Sequence, residues 1–590
     1  MCGIVGVLGK SASPQKAFSC LKNLEYRGYD SWGIAFKSCN GIESFKQVGP
    51  ITQTPKGFLN HNSYASIAHT RWATHGHVCE ENAHPIFSQS KKLCIVHNGI
   101  VENFEELKKF LSDQGFSFRT ETDTEIIANL IEYELGKEEK NFKGAVVRAL
   151  NKIQGSYAIV AMHTDFFELV CAKNLLPLVI GLGKDDFFAA SDVTAFFSNT
   201  KKVIFLDDGE IALLGKEVEL FNIASQEKVK REAVELNWSF EQAKKGNYPH
   251  FMVKEIFEQP QTIRNAFSRP VSEIEKAADM IKKARGVFFV GCGSSFHACV
   301  GAQYFFSKNA HMHVNAVLAS EFSNFEDFIV PETLVVAVSQ SGETADVIDA
   351  VKTAKKKGAK VLSIVNVMGS TLWRMSDYSF LMNAGPEVCV LSTKTYTSQV
   401  ALLLLLSFFV AGKKNEGLEL LEKTAGLSKK VLEDSDKKAI GLSKKLSRQK
   451  SIFVIGRNSA FPAALEGALK IKEVSYIHAE GFAGGELKHG TIALVEKGTP
   501  VIVFATDDTR PMILSNAQEV KARGAFVIGV DSRKNSVFDE WFELPDDFWS
   551  VGSNPVLQIM PLQLLAYHLA VEKGLDPDKP RNLAKSVTVK

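Results

Sequence analysis

The sequence has no apolar run long enough to cross a lipid bilayer. Its most apolar stretch, SQVALLLLLSFFVAG at 398–412, falls short of the roughly 20 residues that a membrane-spanning helix needs. The first residues also lack the basic region and apolar core of a secretory signal peptide. We therefore expect a cytoplasmic protein without a membrane partner, in which this stretch forms a buried helix.

Neither charge nor cysteine is abundant enough to define a function. The formal net charge is +2, which gives no broad basic surface for nucleic acid. The nine cysteines form no Cys-x-x-Cys pair and no cluster with histidine. We expect reduced thiols, and neither a bound metal nor a cofactor.

The chain of 590 residues is long enough for several domains. Short strands and helices alternate up to about residue 235. In that part Asn103, Glu106 and Gly115 predict a helix with the asparagine as its N-cap and the glycine just after its end. The polar stretch 236–256 is typical of a connector, and apolar strands followed by long helices begin near 285.

The second half of the sequence contains an internal repeat. GVFFVGCGSSF (286–296) resembles SIFVIGRNSAF (451–461), and TLVVAVSQSGET (333–344) is followed 166 residues later by TPVIVFATDDTR. GAKVLSIVNV (358–367) matches GAFVIGVDS (524–532) at a similar offset. The repeat predicts two tandem α/β domains, each with a parallel sheet covered by helices.

Two loops of the first repeat have the composition of a phosphate site. Each follows a predicted strand, contains small hydroxyl residues and leads into a helix, whose first N–H groups attract anions. Neither contains a lysine, so neither is a nucleotide-binding P-loop. The alternative is a pair of ordinary capped turns. The second repeat has arginine and aspartate in the corresponding loops, so we expect it to bind phosphate poorly. The candidate phosphate ligands are Ser294, Ser295, Ser339, Gln340, Ser341 and Thr344.

Polar motifs also concentrate in the first half. Arg71 in AHTRWATHG and Asp123 in TETDTE could together hold the carboxylate and ammonium groups of an amino acid. Asn98 and Gly99 in VHNGIVEN predict a turn at the end of a strand. A side-chain amide and a backbone N–H presented there can form an oxyanion hole for an acyl intermediate.

These motifs need a nucleophile with a base. His69 and His75 are candidates for the base, although a structural role is the alternative for both. Cys2 offers another solution, because removal of Met1 leaves a free α-amino group beside the thiol, with an ordinary pKa of roughly 7.7–8.0. That amine can accept the thiol proton directly or through a water. The alternative is a buried cysteine in an edge strand.

Together the motifs resemble one known family. CGIVG, LEYRGYDS, HTRWATHG, AHP, VHNGI, ETDTE, SQSGET, STK, SYIHAE, GELKHG and PRNLAKSVTV occur in this order along essentially the whole chain. They are similar to the isomerising glutamine–fructose-6-phosphate aminotransferases, also called glucosamine-6-phosphate synthases. The resemblance implies that D-fructose 6-phosphate and L-glutamine are converted to D-glucosamine 6-phosphate and L-glutamate, the first step of amino-sugar synthesis.

The fold implied by the resemblance is α/β and multi-domain. A glutaminase domain, an N-terminal-nucleophile αββα sandwich, spans 1–235 and is followed by a linker at 236–265. Two sugar isomerase (SIS) domains with parallel sheets follow at 266–425 and 426–573, and a catalytic tail occupies 574–590. The resemblance further implies a homodimer.

For the glutamine half, the resemblance makes Cys2 the nucleophile once Met1 is removed, with Asn98 and Gly99 as the oxyanion hole. Trp72 matches a tryptophan that gates an internal ammonia channel in the family. The residues expected to hold glutamine are Arg71, Trp72, Thr74, His75, Gly76 and Asp123.

For the sugar half, the resemblance makes Glu473 the base that moves a proton between C1 and C2, with Lys470 close by. Glu466 shares one helical face with both residues, for which a surface ion-pair stripe is the alternative. By resemblance His489 opens the sugar ring and comes from the neighbouring subunit. Lys585 forms a Schiff base with the ketose, in a tail whose composition alone suggests disorder. The implied sugar contacts are Ser294, Ser295, Ser339, Gln340, Ser341, Thr344 and Lys470, with a backbone contact at Val390.

Some positions depart from the family pattern without removing a catalytic group. Ser294 replaces a common threonine and Trp32 replaces a small residue near the glutamine site. Thr491 replaces a frequent proline beside the sugar site, and Lys590 replaces a terminal glutamate.

Two other functions stay open at this point. One is a different N-terminal-nucleophile amidotransferase, such as one acting on phosphoribosyl pyrophosphate, against which the SIS-like repeat argues. The other is a non-enzymatic sugar-phosphate sensor. A sensor would have no use for the four candidate catalytic side chains of Cys2, Glu473, His489 and Lys585.

Overall fold

The computed structural model describes residues 2–10, 14–52, 54–72, 76–138, 141–236, 244–545 and 554–588. The chain divides into two compact units. The first consists of Met1–Ala243 and Ala584–Val589, and the second of Lys244–Leu583 and Lys590. Within the described part of the chain, no helix combines the length and the apolarity that crossing a membrane would require.

The first unit is built from antiparallel strands and a few helices. Its strands are β1 (Gly3–Gly9), β2 (Ser31–Ser38), β3 (Gly41–Val48), β4 (Ala65–Arg71), β5 (Ile86–Phe87), β6 (Leu93–Val101), β7 (Gly155–His163), β8 (Leu169–Asn174), β9 (Val179–Leu182), β10 (Asp186–Ala190), β11 (Lys202–Phe205), β12 (Glu210–Leu214), β13 (Val218–Asn222), β14 (Lys228–Val229) and β15 (Val234–Glu235). Its helices are α1 (Pro14–Lys22), α2 (Lys56–Leu59), α3 (Phe104–Asp113), α4 (Thr124–Lys137) and α5 (Phe142–Leu150).

Two sheets lie between layers of helix in this unit. One has the order β15-β11-β9-β10-β1-β4-β2-β3, and the other β14-β13-β12-β8-β7-β6-β5. Side chains alternate along β1, so that Ile4 and Leu8 enter the core between the sheets while Val5 and Val7 enter the core under α1. The opposite face of the second sheet packs on α3, α4 and α5. This is the expected αββα sandwich.

Helix α3 begins and ends where the sequence predicts, but not for the predicted reason. It starts after Asn103, and Gly115 follows its end with a φ of +87°. The Asn103 side chain forms no cap. It donates to the Lys152 carbonyl at 3.0 Å and accepts from the Gln154 N–H at 2.9 Å. The expected side-chain cap is therefore wrong, because this asparagine ties the helix to the loop before β7 instead.

The second unit alternates parallel strands with helices. Its strands are β16 (Gly286–Gly291), β17 (Asn315–Leu318), β18 (Thr333–Ser339), β19 (Lys360–Val365), β20 (Tyr378–Leu381), β21 (Ser451–Gly456), β22 (His478–Ala483), β23 (Pro500–Phe504), β24 (Phe526–Asp531) and β25 (Glu540–Glu543). Its helices are α6 (Phe251–Phe257), α7 (Gln259–Phe267), α8 (Val271–Lys283), α9 (Ser294–Ala310), α10 (Ala345–Lys356), α11 (Thr371–Met375), α12 (Lys394–Val410), α13 (Lys414–Leu446), α14 (Phe461–Ser475), α15 (Arg510–Lys521) and α16 (Asn554–Glu572).

The two sheets of this unit have the same topology. Their orders are β17-β16-β18-β19-β20 and β22-β21-β23-β24-β25, and every described pairing is parallel. The internal repeat therefore predicts the architecture correctly. The apolar stretch at 398–412 forms most of α12, which is buried along almost its whole length, as expected.

The connecting regions are more ordered than their composition suggests. Helices α6 and α7 occupy much of the expected linker, and Met252 and Ile256 are buried. The expected linker thus contains ordered helices, and the division between the two units falls within it. Helix α13 runs without a break across 425–426, where a domain boundary is expected. Helix α13 is amphipathic and buries one face, whereas α6, with the sequence FMVKEIF, is mainly apolar and follows a polar stretch.

Candidate functional site

Cys2 lies directly before β1, at the end of the first unit where β1 pairs with β4. The register places Gly3 opposite Thr70, and this pairing brings the Cys2 thiol to Trp72. The Trp72 backbone N–H donates to Cys2 Sγ at 3.1 Å. Burial raises the pKa of the Cys2 thiol, and the Trp72 N–H opposes that effect. A thiol in this position needs a local base to become a nucleophile.

Asn98 and Gly99 lie inside β6, not in a turn after it. They pair with Ala158 and Tyr157 of β7, so the turn expected from the Asn-Gly dipeptide is wrong. Gly99 has a φ of +136°, and a Cβ there would lie 2.0 Å from the Ser156 carbonyl oxygen. Only glycine fits this backbone.

The Asn98 side chain faces Cys2. Its Nδ2 donates to the carbonyl oxygen of Cys2 at 2.9 Å. An amide donor held against the backbone of Cys2 can stabilise a negatively charged acyl intermediate that forms there.

Buried histidines stand behind this amide. His69 Nε2 lies 3.1 Å from Asn98 Oδ1, and His69 Nδ1 lies 3.2 Å from Nδ1 of His84. The Thr124 hydroxyl lies 2.9 Å from both His84 Nε2 and His97 Nδ1. Sequence reasoning places none of His84, His97 and Thr124 in the site. The histidines come from separate strands and loops, and only the short motifs AHP and VHNGI draw attention to them.

Arg71 and Asp123 are close enough to interact electrostatically. Burial lowers the pKa of Arg71, and Asp123 is among the acids that oppose this effect. The Arg71 guanidinium donates to the carbonyls of His77 at 3.1 Å and Gly76 at 3.3 Å. Asp123 precedes α4 and accepts from the Val101 N–H at 2.8 Å. Thr74 and His75 lie outside the described residues.

The two tryptophans of interest in the first unit have different surroundings. Trp72 forms an edge-to-face contact with Tyr29, with ring centroids 5.3 Å apart. Trp32 is buried in the core under α1, with its ring centroid 5.4 Å from those of Phe18 and Phe45. The departure from the family pattern at Trp32 therefore enlarges that core.

In the second unit, the two hydroxyl loops lie at the carboxyl ends of neighbouring strands. Ser294 opens α9 after β16, and Ser339 ends β18 beside it. The Ser339 hydroxyl accepts from the Gly342 N–H at 3.0 Å and lies 3.2 Å from that of Thr344. Gln340 accepts from the Asn366 N–H through its backbone carbonyl at 3.0 Å. Both loops thus lie where open α/β sheets bind their ligands, and the phosphate site stays a prediction.

A buried group of charges lies next to Ser294. Glu466 and Lys470 are both 0% exposed, which excludes the surface ion-pair stripe. Lys470 Nζ lies 2.6 Å from Glu473 and 3.3 Å from Glu466. It also donates to the Ser294 hydroxyl at 3.1 Å.

These contacts set the proton affinities of the group. Burial raises the pKa of Glu473, and Lys470 opposes that effect. Burial disfavours the charged form of Lys470, but Glu466 and Glu473 together raise its pKa. A carboxylate with a raised pKa beside a fixed cation is suited to accept a proton and return it.

Two polar neighbours in this region are not apparent from the sequence. His297 Nδ1 lies 2.8 Å from Glu466, whose other oxygen accepts from the Ser294 hydroxyl at 2.8 Å. Gln399 donates to the Ser295 hydroxyl at 3.0 Å. The spacing of Ser294 and His297, which places both on one face of α9, is a signal that could have identified the histidine.

In the second repeat, the loop after β23 contains a network of ion pairs. Arg510 contacts Asp531, which is fully buried, and lies 3.0 Å from Asp507. Asp507 occupies the place where the first repeat has Ser341. An anion would meet carboxylates there, which agrees with the expectation of weak phosphate binding.

The remaining candidates lie in different surroundings. Val390 is buried, and its N–H donates to the Asp578 carbonyl at 3.3 Å. His489 ends the short 3-10 segment Gly484–His489 and is exposed. Lys585 is half-buried and lies in the segment that groups with the first unit.

Comparison with known proteins separates the chain into the same parts. A family model described as "Glutamine amidotransferase domain" matches residues 69–198, and one described as "SIS domain" matches 280–408 and again 445–573. The chain is 45% identical to the glutamine–fructose-6-phosphate aminotransferase (isomerizing) of Thermococcus kodakarensis and 43% identical to that of Pyrococcus horikoshii. Both alignments cover 100% of each chain.

A solved structure supports the same assignment for the second half. The C-terminal domain of glucosamine-fructose-6-phosphate aminotransferase from Francisella tularensis superposes with a TM-score of 0.54 at 36% identity. The match covers 57% of this chain and 100% of that one.

Proposed function

Because this chain belongs to the family of isomerising glutamine–fructose-6-phosphate aminotransferases, we propose that it divides the family's reaction between the two candidate sites. The reaction converts fructose 6-phosphate and glutamine to glucosamine 6-phosphate and glutamate. The glutamine amidotransferase part releases the amide nitrogen, and the SIS part isomerises and aminates the sugar. A sugar-phosphate sensor would need no nucleophile, and an amidotransferase with another acceptor would not need the SIS repeat.

At the first site, Cys2 attacks the amide carbon of glutamine after Met1 has been removed. Its own α-amino group takes the thiol proton, which compensates for the burial that raises the thiol pKa. Asn98 Nδ2 and the Gly99 N–H stabilise the oxyanion. Arg71 and Asp123 hold the amino-acid end of glutamine, together with Thr74, His75 and Gly76. The observation that carries this half is the Asn98 amide, held 2.9 Å from the Cys2 carbonyl.

At the second site, the hydroxyl loops hold the phosphate and Glu473 moves the proton between C1 and C2. An ion pair with Lys470 holds the Glu473 carboxylate in place. The Val390 N–H is engaged by Asp578, so a backbone contact from Val390 to the sugar uses its carbonyl. Lys585 forms the Schiff base with the ketose, and His489 opens the sugar ring.

His489 is exposed in the single chain. We therefore assign it to the sugar site of a second copy, in a homodimer that acts in the cytoplasm. Trp72 controls the release of ammonia, which must reach the ketose before it is protonated.

Two substitutions separate the half-reactions in protein that begins at Cys2. Cys2→Ala is expected to lower glutamine hydrolysis at least about 1,000-fold and to keep conversion of fructose 6-phosphate to glucose 6-phosphate. Glu473→Gln is expected to lower that isomerisation about 100- to 10,000-fold and to keep glutamine hydrolysis. Cys39→Ala and Glu496→Gln, at exposed positions, are matched controls. Loss of both activities in either single variant would contradict the division of labour.

A further inference from the structure

The buried histidines of the first unit form a continuous chain with the oxyanion-hole amide. We define the relay as His69, His84, Thr124 and His97. All four side chains are buried, and each hydrogen-bonds to the next. None of them touches the Cys2 thiol, so the proposed mechanism leaves the relay unexplained.

The directions of its hydrogen bonds follow from one backbone oxygen. The His97 carbonyl can only accept, and it lies 3.0 Å from His69 Nε2, so this nitrogen carries a proton. The same N–H faces the Asn98 carboxamide at 3.1 Å. If the NH₂ group of Asn98 lay there instead, it and the His69 N–H would be two donors facing each other. Asn98 Oδ1 therefore faces His69, and Nδ2 faces Cys2.

The remaining directions follow from neutrality. Burial lowers the pKa of His69 to about 3, so its Nδ1 has only a lone pair, and His84 Nδ1 must donate to it. Burial also lowers the pKa of His84 well below its ordinary value, so His84 Nε2 accepts from the Thr124 hydroxyl. The hydroxyl oxygen then accepts from His97 Nδ1. Burial lowers the pKa of His97 too, and the Ser156 backbone opposes that effect.

We propose that the relay is a positioning element that fixes the Asn98 carboxamide with Nδ2 toward Cys2. This inference rests on the proposed function, in which Asn98 belongs to the oxyanion hole. The oxygen and nitrogen of a carboxamide have nearly the same size, so packing alone does not select its orientation. Hydrogen-bond direction selects it, because a reversed amide would place Oδ1 against the developing oxyanion.

Thr124 is the point at which the relay can be interrupted without changing its shape. Its hydroxyl donates to His84 and accepts from His97, and valine has nearly the same outline with neither function. In Thr124→Val, His84 can place its proton on Nε2 instead. Its Nδ1 lone pair then repels the lone pair of His69, so the His69 ring is displaced and Asn98 Oδ1 loses the N–H that holds it.

The test compares two reactions of Cys2 in full-length protein that begins at this residue. Glutamine hydrolysis passes through an oxyanion and needs the Asn98 amide. Alkylation by iodoacetamide does not, because a bond from Sγ to a saturated carbon forms as iodide leaves and the thiol proton goes to the α-amine. Peptide mass spectrometry distinguishes Cys2 from the other cysteines, and conversion of fructose 6-phosphate to glucose 6-phosphate shows that each variant is folded.

We expect Thr124→Val to lower the kcat of glutamine hydrolysis about 100- to 1,000-fold, with KM and the Cys2 alkylation rate unchanged within about twofold. Thr124→Ser keeps the hydroxyl and is expected to restore kcat to within about fivefold of the wild-type value. Thr122→Val is the matched control, since this buried hydroxyl contacts Thr120 instead of the relay.

An unchanged kcat in Thr124→Val would overturn the proposal, as would equal losses of hydrolysis and alkylation, or a Thr124→Ser variant as slow as Thr124→Val. A wild-type protein that is alkylated at Cys2 but does not hydrolyse glutamine would contradict the proposed function instead.

Discussion

His69, His84 and His97 are neutral in the folded chain, since burial depresses the pKa of each. Exposed histidines in an unfolded chain take up a proton near pH 6.5. Between that pH and the lower pKa values of the folded state, the unfolded chain binds more protons. Stability from these residues is therefore complete above about pH 6.5 and decreases as the pH falls.

The predicted consequence is acid sensitivity that depends on the number of buried histidines. Between pH 6.5 and 5.0, each histidine that stays neutral lowers the free energy of unfolding by about 2 kcal/mol. Calorimetry of the full chain at pH 7.5 and 5.0 measures the effect as a fall in melting temperature. His84→Gln should melt at a lower temperature than wild type at pH 7.5 but lose less on acidification. Equal losses in the two proteins would show that His84 is protonated in the folded chain.

Single residues of the site were predictable where their chemistry is local. Cys2, Arg71 and Asp123 stand out because a thiol at the terminus and a charged pair suit an amide substrate. The relay was not predictable, because its members come from different strands and a helix and their importance lies in hydrogen-bond direction. The same holds for His297, whose partner Glu466 is distant in sequence.

Strand β6 shows how an element positions a site. It continues through Asn98 and Gly99. Because Asn98 and the residues before and after it all pair with β7, the sheet holds the amide that faces Cys2. The close approach of the Ser156 carbonyl at Gly99 is possible only without a Cβ. Gly115, just after α3, has a positive φ of +87°, but a Cβ added there would have no other atom within 4 Å.

Alanine substitutions at these two glycines distinguish the stability cost of backbone strain from that of a steric clash. Gly115→Ala should cost about 1 kcal/mol of stability, from the left-handed conformation alone. Gly99→Ala adds a clash with backbone and should cost at least about 2 kcal/mol more. Thermal melting of the two variants measures the difference. Equal costs would mean that β6 and β7 can move apart at Gly99.

The two repeats of the second unit provide a second comparison between elements. The loop after β18 carries hydroxyls, whereas the loop after β23 carries Asp507 in an ion pair. Ser341→Ala should raise the KM for fructose 6-phosphate at least about tenfold, since hydrogen bonds to charged groups contribute about 1.5–3 kcal/mol. Asp507→Ala should leave that KM unchanged within about twofold. A higher KM in Asp507→Ala, with no change in Ser341→Ala, would place the phosphate in the second repeat.

Elements with a repeated pattern were predictable, and those that depend on packing were not. The two parallel sheets follow from matching apolar strands at a constant spacing. Helices α6 and α7 were not expected, because the polar residues before α6 and within α7 obscure the buried side chains of Met252, Ile256 and Ile263. The side chain of Asn103 is a similar case, since a distant loop competes with the helix start for its hydrogen bonds.

At the scale of the whole molecule, the chain combines two chemistries that are useful only together. The glutamine amidotransferase part produces ammonia, which water would protonate at neutral pH. The SIS part consumes it on a ketose phosphate. Fold classes and their order were predictable from motifs along the whole chain, and the comparisons confirm them. The position of Lys585 in a segment that groups with the first unit was not predictable from a short polar tail.

The most direct test follows the nitrogen atom. Protein that begins at Cys2 is incubated with fructose 6-phosphate, glutamine labelled with ¹⁵N at the side-chain amide, and an excess of unlabelled ammonium, and glucosamine 6-phosphate is analysed by mass spectrometry. We predict an amino sugar that carries almost only ¹⁵N, and no product from Cys2→Ala. Absence of glucosamine 6-phosphate, or a product that carries the unlabelled nitrogen of the solution, would contradict the assignment of a coupled glutaminase and sugar isomerase.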